Sequence, residues 1–383
     1  MSSGQRSHMC GACDACLRRG WLLSQLSGPL DFCARDRGRL LELLALEDEE
    51  LLAAVAGRRT RELRDAYALV DASELCHEPR TQTICRHRRG YPRALRDMSA
   101  PRMLTVAGNG GRFAALTSAP VVAVVGSRAP SDYGRQMARS LARSLAASGV
   151  TVAASLADGI AAAALTGVLD AGGKAGSGGI AVLGNGLGIS CSPRLRPLYK
   201  RVTRSGCAIS ELPRDCAGRR WGQLASERIV VGLASLTVVV EAAQTPADLA
   251  AAEIARALGR SVAAIPGRVT SPLSRGAHAL LMDGARLVRG ARDVLELLHI
   301  DGGEGAREPA SPPARVRVEP LADGHPALRA VLERVGCGYD TPDKLARAGV
   351  DLAEVLPALG ELELAGLLVR GDGGRYLPRD PLD

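Results

Sequence analysis

Six apolar runs of β type divide the middle of this chain: Val121–Val125, Val150–Ala154, Gly179–Leu183, Cys207–Ser210, Ser235–Val240 and Ser261–Ile265. Alanine-rich stretches of helical pattern, among them Gly134–Ala147, Ala247–Leu258 and Gly276–Asp283, lie between some of them. A strand that is apolar at nearly every position has no face to give to water. Such strands, alternating with helices, predict a mostly parallel sheet covered on both sides, an α/β fold. Aromatic residues make up only 3% of the chain, so the core must be assembled from Ala, Val and Leu.

The flanks read differently. Residues 1–80 open with Cys10, Cys13 and Cys16 and continue as an amphipathic helical region, with Gly57 as a break. The body spans 81–299 and begins with a connector in which Tyr91-Pro92 and Pro101 favour extended backbone. Residues 300–317, rich in Gly, Pro and charge, read as a linker. The pattern over 318–383 is helix, turn, helix, helix and short hairpin, the order of a winged-helix domain.

The loops closing the apolar runs carry the chemistry. Gly126-Ser127-Arg128 ends the first run: glycine admits an anion close to the backbone, Ser127 can donate, and Arg128 offers a planar fork suited to phosphate. The helix after Asp132, starting at Tyr133-Gly134, is expected to turn free N–H groups towards the same point. Gly184 and Gly186 close another run, Glu211 and Glu241 end two more, and Arg228 precedes a helical run. Gly267 closes the last run, and Ser274 with Gly276 opens the helix after it. The spacing is neither GxGxxG nor a P-loop, which argues against a standard dinucleotide or NTPase site. No GxSxG elbow or HExxH appears, so no catalytic constellation is visible and the chain is not expected to be an enzyme.

A formal net charge of +8 and an isoelectric point near 9.1 favour an anionic partner. The chain has no apolar run long enough for a membrane span and no signal-peptide core, so a cytoplasmic protein without a membrane partner is expected. In that compartment cysteines serve as thiols or metal ligands. Cys10, Cys13 and Cys16, with Cys33 as a fourth, are candidate ligands for a structural zinc, provided their segment is a loop. Cys76-His77 and Cys85-x-His87 offer another pair, and no other cofactor is indicated.

The joint order of these motifs resembles the DNA-processing protein A (DprA/Smf) family. Gly126-Ser127-Arg128 with Tyr133-Gly134 is similar to the family's opening motif. So are Gly184 and Gly186, Ser210-Glu211 with Pro213, Arg228-Ile229 with Gly232-Leu233, Glu241-Ala242, Pro266-Gly267, and Ser274 with Gly276 through Gly284-Ala285. Tyr91-Pro92 resembles the entry segment, and the tail resembles the winged helix. The resemblance implies a Rossmann-like sheet that captures single-stranded DNA, protects it and delivers it to a RecA-type recombinase during DNA uptake, transformation or recombination. A homodimer is a further possible partner state. Arg128, Arg228, Arg194 and Lys200 would neutralise phosphates, with Tyr199 or Trp221 as the few aromatics able to stack on bases.

The chain also departs from the family pattern. Ala161 and Leu165 stand where the family has Asp and His, and Ser226-Glu227-Arg228 replaces an Arg-Asn-Arg run. Pro246–Ala252 replaces a Ser- and Thr-containing helix start, and Gly188 replaces an Asp. Two other readings therefore stand beside DNA capture. One is a degenerate paralogue acting through protein contacts. The other is a nucleotide-binding or nucleotide-cleaving enzyme, although the Pro-Gly-Gly-x-Gly-Thr loop of Rossmann-like phosphoribohydrolases is absent: Glu241 is followed by AAQTPADLA. The last helix of the tail, LAEVLPALGELELAG, is acidic, which suits protein contact better than a DNA groove.

Overall fold

The structure is a computed structural model. It describes residues 10–76, 81–96, 101–172, 178–189, 191–301, 326–336, 339–347, 349–371 and 375–378. The expected linker lies outside them except for residues 300–301. Contacts separate two compact units, one on either side of residues 305 and 306.

The strands of the first unit are β1 (Cys10–Gly11), β2 (Thr81–Cys85), β3 (Met103–Gly108), β4 (Val121–Gly126), β5 (Thr151–Ser155), β6 (Gly179–Val182), β7 (Cys207–Ser210), β8 (Leu236–Val240), β9 (Ser261–Ile265) and β10 (Arg286–Leu287). They form one sheet in the order β1-β2-β3-β7-β6-β5-β4-β8-β9-β10. From β7 to β10 every pairing is parallel. Only β3 runs against both of its neighbours. The expected mostly parallel α/β sheet is therefore present. The parallel part begins with β4, moves outward through β5, β6 and β7, then returns to the other side of β4 with β8. Its topological switch point lies between β4 and β8, and ligands of open sheets bind at the carboxyl ends of strands beside such a point.

Helices cover both faces: α1 (Asp14–Gln25), α2 (Ser27–Cys33), α3 (Arg37–Ala45), α4 (Asp48–Val55), α5 (Thr60–Leu69), α6 (Gly110–Ser118), α7 (Asp132–Ala147), α8 (Ile160–Asp170), α9 (Arg196–Ser205), α10 (Arg219–Leu233), α11 (Pro246–Ala257), α12 (Arg275–Met282) and α13 (Ala291–Asp301). One core layer packs Ile180, Ile209, Ile229 and Val230 with Tyr91 and Leu95 of the connector. The opposite layer packs Leu141, Leu145, Ile160 and Val168 against Val122 and Val124. Small side chains let these layers approach closely, which is how a core poor in aromatics reaches full density.

The N-terminal helices do not stand apart. Leu22, Leu26, Leu30, Leu40 and Leu52 share a core with Trp221 and Ala225 of α10. Asp31 of α2 accepts the backbone N–H groups of Arg220 (2.7 Å) and Trp221 (3.2 Å), so it caps the first turn of α10. Trp221 is fully buried and donates its indole N–H to Ser27 Oγ at 2.9 Å. That corrects its expected place as a base-stacking platform: the N-terminal helices occupy its ring.

The second unit contains α14 (Pro326–Gly336), α15 (Pro342–Arg347) and α16 (Leu352–Leu364), followed by an antiparallel pair, β11 (Leu368–Gly371) with β12 (Arg375–Pro378). Its core joins Val331, Leu345, Val355, Leu359 and Tyr376.

Candidate nucleic-acid interface

Gly126-Ser127-Arg128 leaves the carboxyl end of β4 at the switch point. A Cβ on Gly126 would lie 2.0 Å from the carbonyl oxygen of Val240, so only glycine lets β4 and β8 close together here. Ser127 N–H donates to the Glu241 carbonyl (2.8 Å), and the Ser127 hydroxyl turns inward to accept from Ala129 N–H (3.2 Å). Ser127 is buried, so it shapes the loop from within. Arg128 alone of the three is exposed, and its guanidinium donates to Gln223 Oε1 of α10 at 3.1 Å.

The start of α7 differs from the sequence expectation. Its N–H end does not open onto a ligand space, because the buried carboxylate of Glu241 sits there. Oε2 accepts from Ser131 N–H (2.7 Å) and Oε1 from the Ser131 hydroxyl (2.6 Å). Ser131 in turn caps the helix by accepting from Gly134 N–H. Glu241 holds φ +51, a left-handed conformation unusual for a side chain that bears a Cβ. Tyr133 is partly exposed and donates to the Pro266 carbonyl at 3.1 Å, tying α7 to the loop after β9.

Glu211 and Arg228 also turn inward. Arg228 Nη2 lies 2.6 Å from both carboxylate oxygens of Glu211, and both residues are buried. This corrects the expected role of Arg228 as a contact to an outside phosphate. It fixes α10 to the end of β7. Gly184, Gly186, Gly267 and Gly276 mark close approaches: a Cβ on each would meet α10, the Pro213 carbonyl, Ser274 or the Ala243 carbonyl respectively. Ser274 is buried under Gly267.

Above this scaffold a cleft of about 430 Å³ lies open across the carboxyl ends of β4, β5 and β6. Arg128, Ser155, Gly184, Asn185, Arg219 and Gln223 are among its lining residues. Arg219 was not singled out from sequence. Its signal is structural: with Glu241 it is one of the two non-glycine residues with positive φ among those described, at +41. Such backbone outliers cluster at functional sites. Asn185, between the two glycines of the second loop, was missed as well.

Arg194 is exposed beside the cleft, next to the lining residue Leu195, and Lys200 is exposed on α9. Arg196, Arg201 and Arg204 continue that basic surface along α9. The lost polar positions have become apolar packing. Leu165 is fully buried and Ala161 partly buried, with Leu183, Leu195 and Tyr199 around them. At Ala161 and Leu165 no charge is stranded by the change, so the fold bears it at little cost there.

The expected metal ligands are redistributed. Cys13 and Cys16 do come together, but their companions are Cys85 and His87. Cys33 packs with the N-terminal leucines instead, and the side chain of Cys10 lies outside the described residues.

Comparison with known proteins now decides the family. Residues 82–299, more than half of the chain, match the DNA recombination-mediator protein A family. The chain belongs to that family. A Mycobacterium tuberculosis protein named as a DNA processing protein DprA is 39% identical over 254 residues, covering 66% of this chain and 62% of that protein. Protein Smf of Escherichia coli is 35% identical over 256 residues, covering 66% of each. The match thus spans somewhat under two thirds of these relatives' length. The crystal structure of DNA processing protein A from Streptococcus pneumoniae superposes with a TM-score of 0.59 at 27% identity, covering 74% of this chain and 98% of that one. The Helicobacter pylori protein shares the fold at a TM-score of 0.50 and 22% identity, covering 58% of this chain and 96% of its own.

The motifs by which this chain resembles its family are thus largely the ones that lock the scaffold. Glu241 with Ser131 fixes the loop that carries Arg128, Glu211 with Arg228 fixes α10 to the end of β7, and the close glycines let neighbouring segments meet. Among the described residues no helix is long and apolar enough to cross a membrane.

Proposed function

We propose that this protein binds single-stranded DNA in the cleft at the carboxyl ends of β4–β6 and acts as a DNA-processing factor in transformation or recombination. The observation that carries this reading is the convergence of Arg128 and Arg219 on one open cleft, while other charged groups of the family motifs, Arg228, Glu211 and Glu241, are engaged internally. Phosphate would be met by guanidinium forks, and Arg194, Lys200 and the basic face of α9 would extend the path. With Trp221 enclosed, base stacking contributes little, and binding should follow the backbone with weak sequence preference and strong salt dependence. Membership of a recombination-mediator family supports the same reading, as does the Helicobacter pylori relative, whose structure concerns its single-stranded DNA binding mode.

Delivery of the strand to a RecA-type recombinase, self-association and a purely binding, non-catalytic role belong to this proposal. Fluorescence anisotropy with labelled oligo-dT, wild type against Arg128→Ala at two salt concentrations, tests its core. Tight, salt-sensitive binding weakened by the substitution supports it. Absence of binding at low salt overturns it in favour of a protein-contact role. Release of free base from a nucleoside monophosphate would point instead to an enzyme.

A further inference from the structure

Away from the cleft, at the far edge of the sheet, four sulfur and nitrogen ligands meet. Cys13 is the N-cap of α1 and Cys16 lies in its first turn. Cys85 ends β2, and His87 follows in the turn beyond it. Cys13 Sγ and Cys16 Sγ lie 3.3 and 3.4 Å from His87 Nδ1, and Cys85 Sγ lies 3.9 Å from Cys13 Sγ. All four ligand atoms fall within 4.8 Å of one another.

The separations of 3.3, 3.4 and 3.9 Å are close to the edges of a tetrahedron around one ion. Zinc–sulfur bonds of about 2.3 Å and zinc–nitrogen bonds of about 2.0–2.1 Å require S···S and S···N edges of roughly 3.8 and 3.6 Å. A disulfide requires sulfurs about 2.05 Å apart, far closer than Cys13 and Cys85. The backbone supports a thiolate as well: Cys13 N–H points at Cys85 Sγ at 3.4 Å. Spacing explains why the sequence reading of Cys10, Cys13, Cys16 and Cys33 shares only two residues with this cluster. A helix start can present two cysteines three residues apart to one ion, but not three in succession. The other pair comes from a strand 72 residues away, held in register by the pairing of β1 with β2.

We propose that Cys13, Cys16, Cys85 and His87 form a structural zinc site that fastens α1 and β1 to the edge strand β2. Four protein ligands fill a tetrahedral ion and leave no open position, as in structural and not catalytic sites. Three thiolates, one neutral imidazole and Zn²⁺ sum to a single negative charge. Arg86, Arg88 and Arg89, which bracket His87, oppose it. Closing so long a loop constrains the unfolded chain, the condition under which a metal clip stabilises most in principle.

The test uses the full-length protein, purified without chelator and assayed for metal by mass spectrometry and by zinc release on mercurial titration of the thiols. One zinc per chain is expected. Cobalt substitution should give visible bands and a thiolate charge-transfer band typical of tetrahedral sulfur-rich coordination. His87→Ala removes an exposed ligand without opening the core and should lose the metal to a competing chelator that the wild type withstands. His87→Cys should restore retention, and Cys33→Ser should leave it unchanged. A metal-free chain whose four ligands react as free thiols and imidazole overturns the proposal. So does a disulfide between any two of these cysteines in non-reducing peptide maps, or retention of zinc by His87→Ala equal to wild type.

Discussion

Glu241 grips Ser131 through both carboxylate oxygens, at 2.7 Å to the backbone N–H and 2.6 Å to the hydroxyl. One acidic side chain from the end of β8 thereby closes the first turn of α7 and fixes the loop from which Arg128 projects. The helix end that sequence reasoning offers to phosphate is held by the chain itself. Removing this charge-assisted pair of hydrogen bonds, as in Glu241→Ala, should cost about 2–3 kcal/mol. Urea unfolding followed by circular dichroism measures it, and an unchanged midpoint would show that the contact adds nothing.

Gly134 is the counterpart of that grip. A Cβ there would lie 2.2 Å from Glu241 Oε2. Gly134→Ala should therefore destabilise the wild type. In the Glu241→Ala background the same change should cost much less, because the carboxylate is gone and only the Cβ at 241, 3.1 Å away, has to give. The double-mutant cycle should yield a coupling of about 1 kcal/mol or more. Additive effects would rule out the clash.

The buried pair of Arg228 and Glu211 predicts an asymmetry. Arg228→Ala or Glu211→Ala leaves an uncompensated charge and should cost about 3–5 kcal/mol. Replacing both by apolar residues of similar size, Arg228→Met with Glu211→Leu, should recover much of that loss. Equal damage from the double and the single variants would contradict this account.

Glu227 gives the fold a pH dependence. Burial raises its carboxyl from the usual 4.5 to about 7, against the opposing pull of Arg128 and Arg37. Between those values the folded chain holds a proton that the unfolded chain has released. Stability from this group is therefore present at low pH, falls as pH rises through that window, and levels off above it. Glu227→Gln should flatten that slope and, above pH 7, raise stability by something on the order of 2 kcal/mol. Thermal unfolding at a series of pH values checks the sign, and parallel profiles for the two proteins would refute it.

Arg128 and Arg219 should act on DNA as phosphate contacts. Each substitution by alanine should lower the salt slope of single-strand binding by about 0.7, and the double variant by about 1.4. Titrations over a range of salt concentrations read this directly. An unchanged slope for Arg219→Ala would remove that residue from the path.

The apolar runs were legible because each is buried on both faces and, the β3 side of β7 apart, paired in parallel: β4, β6, β7 and β9 start where the runs start. Strand β3 was not, because Met103–Gly108 follows a proline-rich connector, carries Thr105 and a terminal glycine among its apolar residues, and is defined by antiparallel partners on either side. The site divides along the same line. Arg128 could be read from its own loop, whereas the engagement of Arg228 by Glu211 and of Ser131 by Glu241 depends on pairs 17 and 110 residues apart. Cys85 and His87 joined the N-terminal cysteines for the same reason. A sequence shows which side chains can pair, but the register of the sheet decides which ones do.

The chain has only two tryptophans, and both belong to the hydrophobic cluster between the N-terminal helices and α10. Trp221 is sealed there, and Trp21 lies beside Tyr67 with ring centroids 6.2 Å apart. Light absorbed by indole is therefore emitted from one seam of the molecule. Tryptophan fluorescence becomes a local gauge: a red shift marks water reaching the junction of the N-terminal helices with the sheet, even while the strands remain paired. Events confined to the cleft should leave the colour of that emission unchanged, so the protein carries its own optical separation between the opening of its seam and the filling of its groove.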